Sequence, residues 1–487
     1  MRPDIKTLSE LKKSGYSSKS IKEELRQNLV ENIKNGRTSF KGIHGYETTV
    51  IPQLERAILS QHNINFLGLR GQAKTRLARL MVDLLDEYIP IIAYSEVNDD
   101  PLNPISKYGK DQIEKFGDHT PIDWIHRSDR FFEKLATPDV TISDLIGDID
   151  PIKAANLKLS YADERVIHFG MIPRANRSIF VINELPDLQS RIQVALFNIL
   201  EEGDIQIRGF QVRMPLDLQF IFTANPEDYT NRGSIVTPLK DRIGSQILTH
   251  YPENLEVAKT ITAQEAKLQK ERLADIYIPE IAKDLVEQIG FEARDNPYVD
   301  HKSGISARMS ITSYENLLST AEYRCLQNNS TKTAIRFSDI LGMIPSITGK
   351  VELVYEGEQE GANFVAEQLI SAASKSLFDK YFPEIKKLKH KDEHDPYQEI
   401  VQWFFDESSF EIMDDSSEEE YAVSLNSIEP LGKLIKKYMP DLPEKDILFV
   451  KEFVLWALVE YNKLNKQRVK KGFEFKDPYG AYLSDLK

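Results

Sequence analysis

Gly68-Leu69-Arg70-Gly71-Gln72-Ala73-Lys74-Thr75 is the stretch on which the reading of this chain turns. A short apolar run, Ile64-Asn65-Phe66-Leu67, precedes it, and a helix-like segment, Thr75 to Leu85, follows. Strand, glycine-rich loop and helix in that order predict the first unit of a parallel sheet. A nucleoside triphosphate needs backbone N–H groups curling around its phosphates, a lysine cation near the β and γ oxygens, and a hydroxyl on magnesium. Gly68, Gly71, Lys74 and Thr75 supply that combination, and Gln72 and Ala73 complete the cofactor-binding turn. The residue before the lysine is ordinarily glycine and here is Ala73, so the pattern is incomplete. A methyl group suits that position if the backbone stays right-handed, because only a positive φ requires glycine.

A second buried strand should then end in an acid. SIFVINE, Ser178 to Glu184, runs through the apolar residues Ile179 to Ile182 into Asn183 and Glu184. A carboxylate there polarises the water that attacks a γ-phosphate. The usual neighbour of such a glutamate is aspartate, which reaches magnesium through its water shell. Asn183 keeps an acceptor but brings no charge, which predicts weaker Mg2+ retention, slower turnover, or compensation from Asp187 or the phosphates. Asn225 closes LQFIFTAN at a third strand tip, where it can orient the same water; read alone, asparagine before proline is a turn former. Arg242, in PLKDRIG, is placed to enter a neighbouring subunit's nucleotide, and Arg308, in GISARMS, to reach its own subunit's γ-phosphate. Taken singly, both arginines read as structural or solvent-facing.

Outward from this centre, SSKSIKEELRQNLVENIK (17 to 34) reads as a capped amphipathic helix, TSFKGIHG breaks it, and a second helix runs from Thr48 to about Ser60. Ile91 to Tyr94, Ser178 to Ile182 and Leu218 to Thr223 are the further core strands, with a helix at Leu188 to Leu200. Their near-continuous apolarity suits strands buried on both faces. Two detours interrupt the plan, Leu157 to Phe169 and Asp204 to Met214, the second a hairpin alternating around Gly209. After about Tyr251 the pattern turns helical: 255 to 275, 279 to 291, 310 to 328 and 337 to 343, then 364 to 382, 397 to 405, 428 to 438 and 444 to 464. Residues 406 to 420, DESSFEIMDDSSEEE, read as a solvated, partly mobile loop or as a docking surface for a basic partner. FVKEFVLWALVEY, 449 to 461, carries an apolar stripe that needs a surface to cover.

With 487 residues, 41% of them hydrophobic and 28% charged, the chain has the composition of several packed domains and not of general disorder. Its 62 Lys plus Arg against 76 Asp plus Glu leave a net charge of -14, which opposes broad nucleic-acid binding while leaving room for a local basic groove. MRPDIKTLSELKKSGYSS lacks a leader-like apolar core, and no later run approaches the ~18 apolar residues of a membrane span, so a cytoplasmic protein is expected. Cys325 stands alone, excluding an internal disulfide or a cysteine metal cluster. His119 and His126 flank Trp124 in the long stretch 95 to 140, and His390 and His394 stand at i, i+4 spacing; neither pair is joined by the further ligands zinc needs.

Together these segments resemble an AAA+ ATPase, and within it the clade of MoxR proteins and the small ATPase subunit of magnesium chelatase. The resemblance rests on GLRGQAKT, SDLIGDIDPIKAA, FGMIPRANRSIFVINELPDL, ALFNILEEGDIQIRG, FTANPEDY, PLKDRIG and GISARMS, in order over roughly residues 41 to 345. It implies an α/β AAA+ P-loop core with a parallel sheet, an all-helical lid domain and a mostly helical C-terminal extension. The expected divisions are 1–40, 41–250, 251–350 and 351–487. It marks Gly68, Gly71, Lys74 and Thr75 as Walker A, Asn183 and Glu184 as Walker B, Asn225 as sensor 1, Arg242 as the arginine finger and Arg308 as sensor 2. ATP and Mg2+ are the implied cofactors, with Thr75 and Asn183 at the metal. A homo-oligomeric, hexameric ring and a partner with a von Willebrand factor A domain are implied too, since an arginine finger meets no phosphate unless another copy brings one. The hairpin tips at Ile207 to Phe210 are then placed to move against substrate or partner.

The leading reading is a MoxR-like ATPase that activates or remodels a partner protein. A magnesium chelatase subunit is the alternative, although nothing in the sequence is porphyrin-specific. A nucleic-acid motor lacks an attached DNA-binding helix pair and an aromatic-basic stripe. A scaffold that binds ATP and scarcely hydrolyses it is the non-catalytic reading, motivated by Asn183.

Overall fold

A computed structural model describes residues 2–160, 163–206, 213–226, 234–268, 275–385, 395–407 and 410–477. The chain divides into two compact units, Met1–Tyr251 and Pro252–Lys487.

The first unit is organised by a five-stranded, fully parallel sheet. Its strands are β1 (Ile64–Leu67), β2 (Phe131–Leu135), β3 (Ser178–Asn183), β4 (Leu218–Ala224) and β5 (Ser245–Leu248), in the spatial order β5-β1-β4-β3-β2. The central strands are apolar on both faces because both are covered. Ile64, Phe66, Ile179, Val181 and Ile221 pack with α1 (Ile21–Lys34), α2 (Val50–Leu59) and α3 (Lys74–Leu80), while Phe180, Ile182, Phe220 and Phe222 pack with segments between 145 and 200. Ser20 and Glu23 form a reciprocal capping box that starts α1. Glu24 of α1 then accepts a two-pronged bond from Arg130, both contacts 2.7 Å and both side chains buried. Arg130 immediately precedes β2, so this ion pair anchors the edge strand to α1.

One strand expectation fails. The expected core strand Ile91 to Tyr94 is not one: the strand there is Tyr88–Ile92, which does not enter the core sheet and pairs antiparallel with Ile122–His126. Pro90 is accommodated in this two-stranded hairpin, since a proline has no N–H for a central ladder and is confined to edges and hairpins. The place next to β3 goes instead to Phe131–Leu135, and the excess length of 95 to 140 is the helix Lys107–Phe116 and the returning hairpin strand. The first detour contains the helix Pro151–Leu157 and an antiparallel pair, Gly147–Ile149 with Ile167–Phe169. The second pairs Asp204–Gln206 with Arg213–Pro215, and its tips at 207 to 210 lie outside the described residues.

The second unit is mostly helical. Its helices include Leu255–Glu265, Glu280–Asp295, Ala307–Gln327, Ala362–Tyr381, Gln398–Glu407, Glu418–Ser427, Glu429–Tyr438 and Ile447–Glu460. One hydrophobic cluster runs from Ile276 to Phe475. Ile447–Glu460 is buried nearly all round from Phe449 to Leu458 and is not a one-sided amphipathic helix. An antiparallel sheet, in the order Phe410–Met413, Gly472–Lys476, Asn465–Val469, was not legible as strands. It also corrects the reading of 406 to 420 as a solvated loop: Phe410 and Ile412 are buried, and Glu418 meets the guanidinium groups of Arg324 and Arg336. Cys325 lies half-buried in its helix and donates to Ser330 O. Among the described residues no helix is long and apolar enough to cross a membrane.

Candidate functional site

The glycine-rich turn sits at the carboxyl end of β1, the side of a parallel sheet where ligands are generally held. Gly68 N donates to Ala224 O at the end of β4. A Cβ on Gly68 would overlap the Thr249 hydroxyl and the Gln72 side chain, so glycine is required there by close approach. Gln72 Oε1 accepts from Thr249 Oγ1 at 2.7 Å, fastening the turn to the end of β5. Tyr46, buried against Gln72 O and His250 O at 3.0 and 2.8 Å, braces it from outside; burial pushes the Tyr46 phenol up to about 12. Sequence reasoning did not single out Tyr46, Thr249 or His250.

Gly71 has φ +75°, and Ala73 is also left-handed, at φ +57° and ψ +16°. The condition under which alanine suited this position is therefore not met: Ala73 carries the backbone that glycine adopts without strain, at a cost on the order of 1 kcal/mol. α3 starts at the next residue. Lys74 Nζ donates to the carbonyl oxygens of Gly68 and Leu69, the second at 2.8 Å, so the ammonium lies inside the curl of its own turn.

Thr75 Oγ1 donates to Asn183 Oδ1 at 3.4 Å, which brings the turn to the end of β3. The same Asn183 oxygen accepts from Thr223 Oγ1 at 3.1 Å, and Thr223 accepts from Glu184 N at 3.1 Å. Glu184 is left-handed, φ +55°, so the chain turns sharply just where the carboxylate is carried. Asn225 is buried directly after β4. Thus Lys74, Thr75, Asn183, Glu184 and Asn225 gather at the ends of β1, β3 and β4.

The remaining donor of Asn183 identifies a residue that sequence reasoning missed. Nδ2 donates to Glu133 Oε1 at 2.6 Å, and Arg79 Nη2 of α3 pairs with Glu133 Oε2 at 2.6 Å. Glu133 is the acid of FFEKL, an edge strand whose two charged residues give it no strand periodicity. Asp187, in the turn Leu185–Asp187, buries Oδ1 without a hydrogen bond among the described residues and makes no bond to Asn183.

The two arginines lie elsewhere. Arg242 ends the helix Thr237–Arg242, donates to Glu201 Oε2 from Nε and Nη2 at 2.8 and 2.6 Å, and lies over the Phe197 ring. Arg308 is exposed in the first turn of Ala307–Gln327, in the second unit, with its backbone N–H on Ser306 Oγ. No group of three or more His, Cys, Asp or Glu suited to a metal occurs among the described residues, and His126 is occupied with Ser128; His390 and His394 lie outside them.

Residues 124–243 match the AAA domain of the dynein-related subfamily. The chain carries an AAA+ ATPase domain. The match takes in Asn183, Glu184, Asn225 and Arg242 and begins after the turn 68–75. The domain is related to the 38 kDa subunit of magnesium chelatase from Cereibacter sphaeroides, 25% identical over 153 residues, 30% of this chain and 43% of that subunit. The match therefore spans less than half of that relative's length. Among solved structures, the chain resembles NtrX of Brucella abortus in complex with ADP, at 12% identity and TM-score 0.38 over 76% of this chain and 66% of that one. It also resembles a point variant of RuvB from Thermotoga maritima, at 12% identity and TM-score 0.33 over 95% and 98%. The AAA+ P-loop core with its parallel sheet is followed along the chain by a helical lid and a mostly helical C-terminal region.

Such a domain implies ATP and Mg2+. The Thr75 hydroxyl, the Asn183 carbonyl oxygen and the Glu133 carboxylate form an all-oxygen donor set. That set fits a hard cation held largely through phosphates and water rather than by a protein cage.

Proposed function

We propose that this chain is an ATPase whose binding and hydrolysis of ATP drive a conformational change acting on a partner protein. The observation that carries the reading is the meeting of Lys74, Thr75 and Asn183, with Glu184 beside them, at the ends of three adjacent parallel strands. In this reading the turn 68–75 and Lys74 bind the triphosphate, and Thr75 and Asn183 stand at Mg2+, which screens phosphate charge when bound. Glu184 takes the proton of the attacking water, and Asn225 orients that water. Arg242 is held by Glu201 of its own chain, so its role as a finger requires a second copy to present a phosphate. In this reading the copies form a hexameric ring, as the resemblance of the motifs implies, with Arg308 sensing the γ-phosphate. We divide the chain at 1–40, 41–250, 251–350 and 351–487, as core, lid and flanking segments.

Of the finer readings, the match to magnesium chelatase favours an ATPase subunit of that type. A MoxR-like remodelling ATPase with a von Willebrand factor A partner rests on the sequence motifs. Asn183 favours a third reading, a nucleotide-gated scaffold with slow turnover. Steady-state ATP hydrolysis beside a Glu184→Gln variant separates the catalytic readings from the scaffold. The variant is expected to lose roughly 10²- to 10⁴-fold in rate while still binding ATP. Equal rates contradict the catalytic role of Glu184, and bound ATP without turnover in the unaltered protein selects the scaffold.

A further inference from the structure

From the side chains around Asn183 we infer that Glu133 supplies the negative charge this residue lacks, and that it is the acidic partner of the magnesium water shell. The inference deepens the ATPase reading and rests on it.

Asn183 stands where an aspartate would carry one negative charge beside the Thr75 hydroxyl. Its amide instead bridges two groups: Oδ1 accepts from Thr75 and Thr223, and Nδ2 donates to Glu133 Oε1 at 2.6 Å. β2 and β3 are paired in parallel with Leu135 opposite Asn183 and Glu133 opposite Val181, so Glu133 reaches Asn183 diagonally across the ladder. Two carboxylates at that separation would not both ionise, and one would keep a proton. An amide facing a carboxylate removes the conflict: the neutral Asn183 donates where an aspartate would repel. The asparagine and the glutamate are therefore complementary, and their summed charge equals that of an aspartate with a neutral neighbour. The acid has been moved across one strand, a single side chain away from Thr75.

Two features keep Glu133 in place. Arg130, two residues before Phe132, is fixed by the buried bidentate bond to Glu24, and Ile179 N donates to Arg130 O, which sets the register of the edge strand. Arg79, from the helix that follows the glycine-rich turn, holds Oε2. The Arg79 side chain is 64% exposed and that of Glu133 only 25%. A pair so open on the arginine side is screened by solvent and weak, and it gives way readily to a divalent cation. Asp187, the acid nearest in sequence after Glu184, makes no bond to Asn183 and does not fill this role.

The test measures metal retention separately from turnover. The full chain is equilibrated with ADP, first in EDTA to obtain metal-free nucleotide affinity, then with Mn2+ followed by electron paramagnetic resonance. Glu133→Gln retains an oxygen that accepts from Asn183 and removes only the charge. It is expected to leave metal-free ADP binding unchanged and to weaken Mn2+ in the complex by roughly 10- to 100-fold, the usual scale for an outer-shell carboxylate. Adding Asn183→Asp to Glu133→Gln moves the charge back and restores Mn2+ retention, whereas Asp187→Asn has no effect on it. Wild-type Mn2+ retention in Glu133→Gln, or a loss in Asp187→Asn in its place, overturns the inference. Wild-type protein that binds ADP neither in EDTA nor with metal overturns the nucleotide-site reading itself, and this inference with it.

Discussion

Two polar clusters of this chain look alike in composition and differ in how deeply they are enclosed. Around Asn183, in the first unit, Glu133 and Arg79 form a partly exposed pair, and two nearby residues, Ala73 and Glu184, hold left-handed backbones. Around Arg324, in the second, the guanidinium is enclosed: Arg324 meets Asp339 and Glu418 at 2.8 and 2.7 Å, with Thr333 and Ala334 O taking its other donors. Glu452, fully buried, caps the N–H groups of Phe337 and Ser338 and accepts from Tyr421 at 2.6 Å; burial raises its carboxyl above the usual range. The second cluster ties four segments together and has no backbone strain to explain. The difference teaches that buried charge alone marks packing, while strain combined with open polar groups at strand ends marks chemistry.

The sharpest break in that comparison is Arg324→Met. Removing the guanidinium leaves Asp339 buried without its ion-pair partner, with the Arg336 N–H still donating to Oδ2, so the second unit is expected to lose about 3 kcal/mol in denaturant unfolding. A loss near zero would mean the enclosed network does not hold the unit together.

Asp217 offers a buried acid within the first unit but away from the nucleotide site. It accepts from Ile21 N at the start of α1, at 2.7 Å, and burial raises its pKa from 3.8 to about 6. The folded state therefore binds this proton more tightly than the unfolded chain does. Its contribution is most favourable below about pH 4, is lost as pH rises toward about 6, and is flat above. Asp217→Asn keeps an acceptor for Ile21 N, so the variant is expected to be more stable than wild type at pH 8 by about 1–3 kcal/mol and equal to it at pH 4. Thermal unfolding at the two pH values checks this, and ATP hydrolysis is expected to stay as it was.

The smallest effect is at the turn. Ala73→Gly relieves the left-handed strain, offset in part by the greater freedom of glycine in the unfolded chain, for a net gain of about 1 kcal/mol or less. Denaturant midpoints measure it. A loss of stability would show that Ala73 is not strained.

Much of the candidate nucleotide site was legible because its parts are short strings bounded by glycine or by a strand end. GLRGQAKT, FVINE and FTAN each carry their polar residues at the tip of an apolar run, and parallel pairing brings those tips together. What stayed hidden depends on partners distant in sequence. Glu133 sits in a five-residue edge strand with two charged residues, which no periodicity distinguishes from a loop, while the apolar run Ile91 to Tyr94 competed for its place. The φ of Ala73 is a property of the folded turn and not of its letters. The acid-rich segment 406 to 420 looked solvated because its buried cations, Arg324 and Arg336, lie some eighty or more residues earlier.

Calorimetric titration of ATP into the wild-type chain and into Lys74→Ala tests the central claim most directly. The account predicts saturable binding by the wild type and a loss of at least about tenfold in affinity for the variant, since a charge-assisted contact to phosphate is removed. Equal binding by both proteins, or none by the wild type, would contradict it.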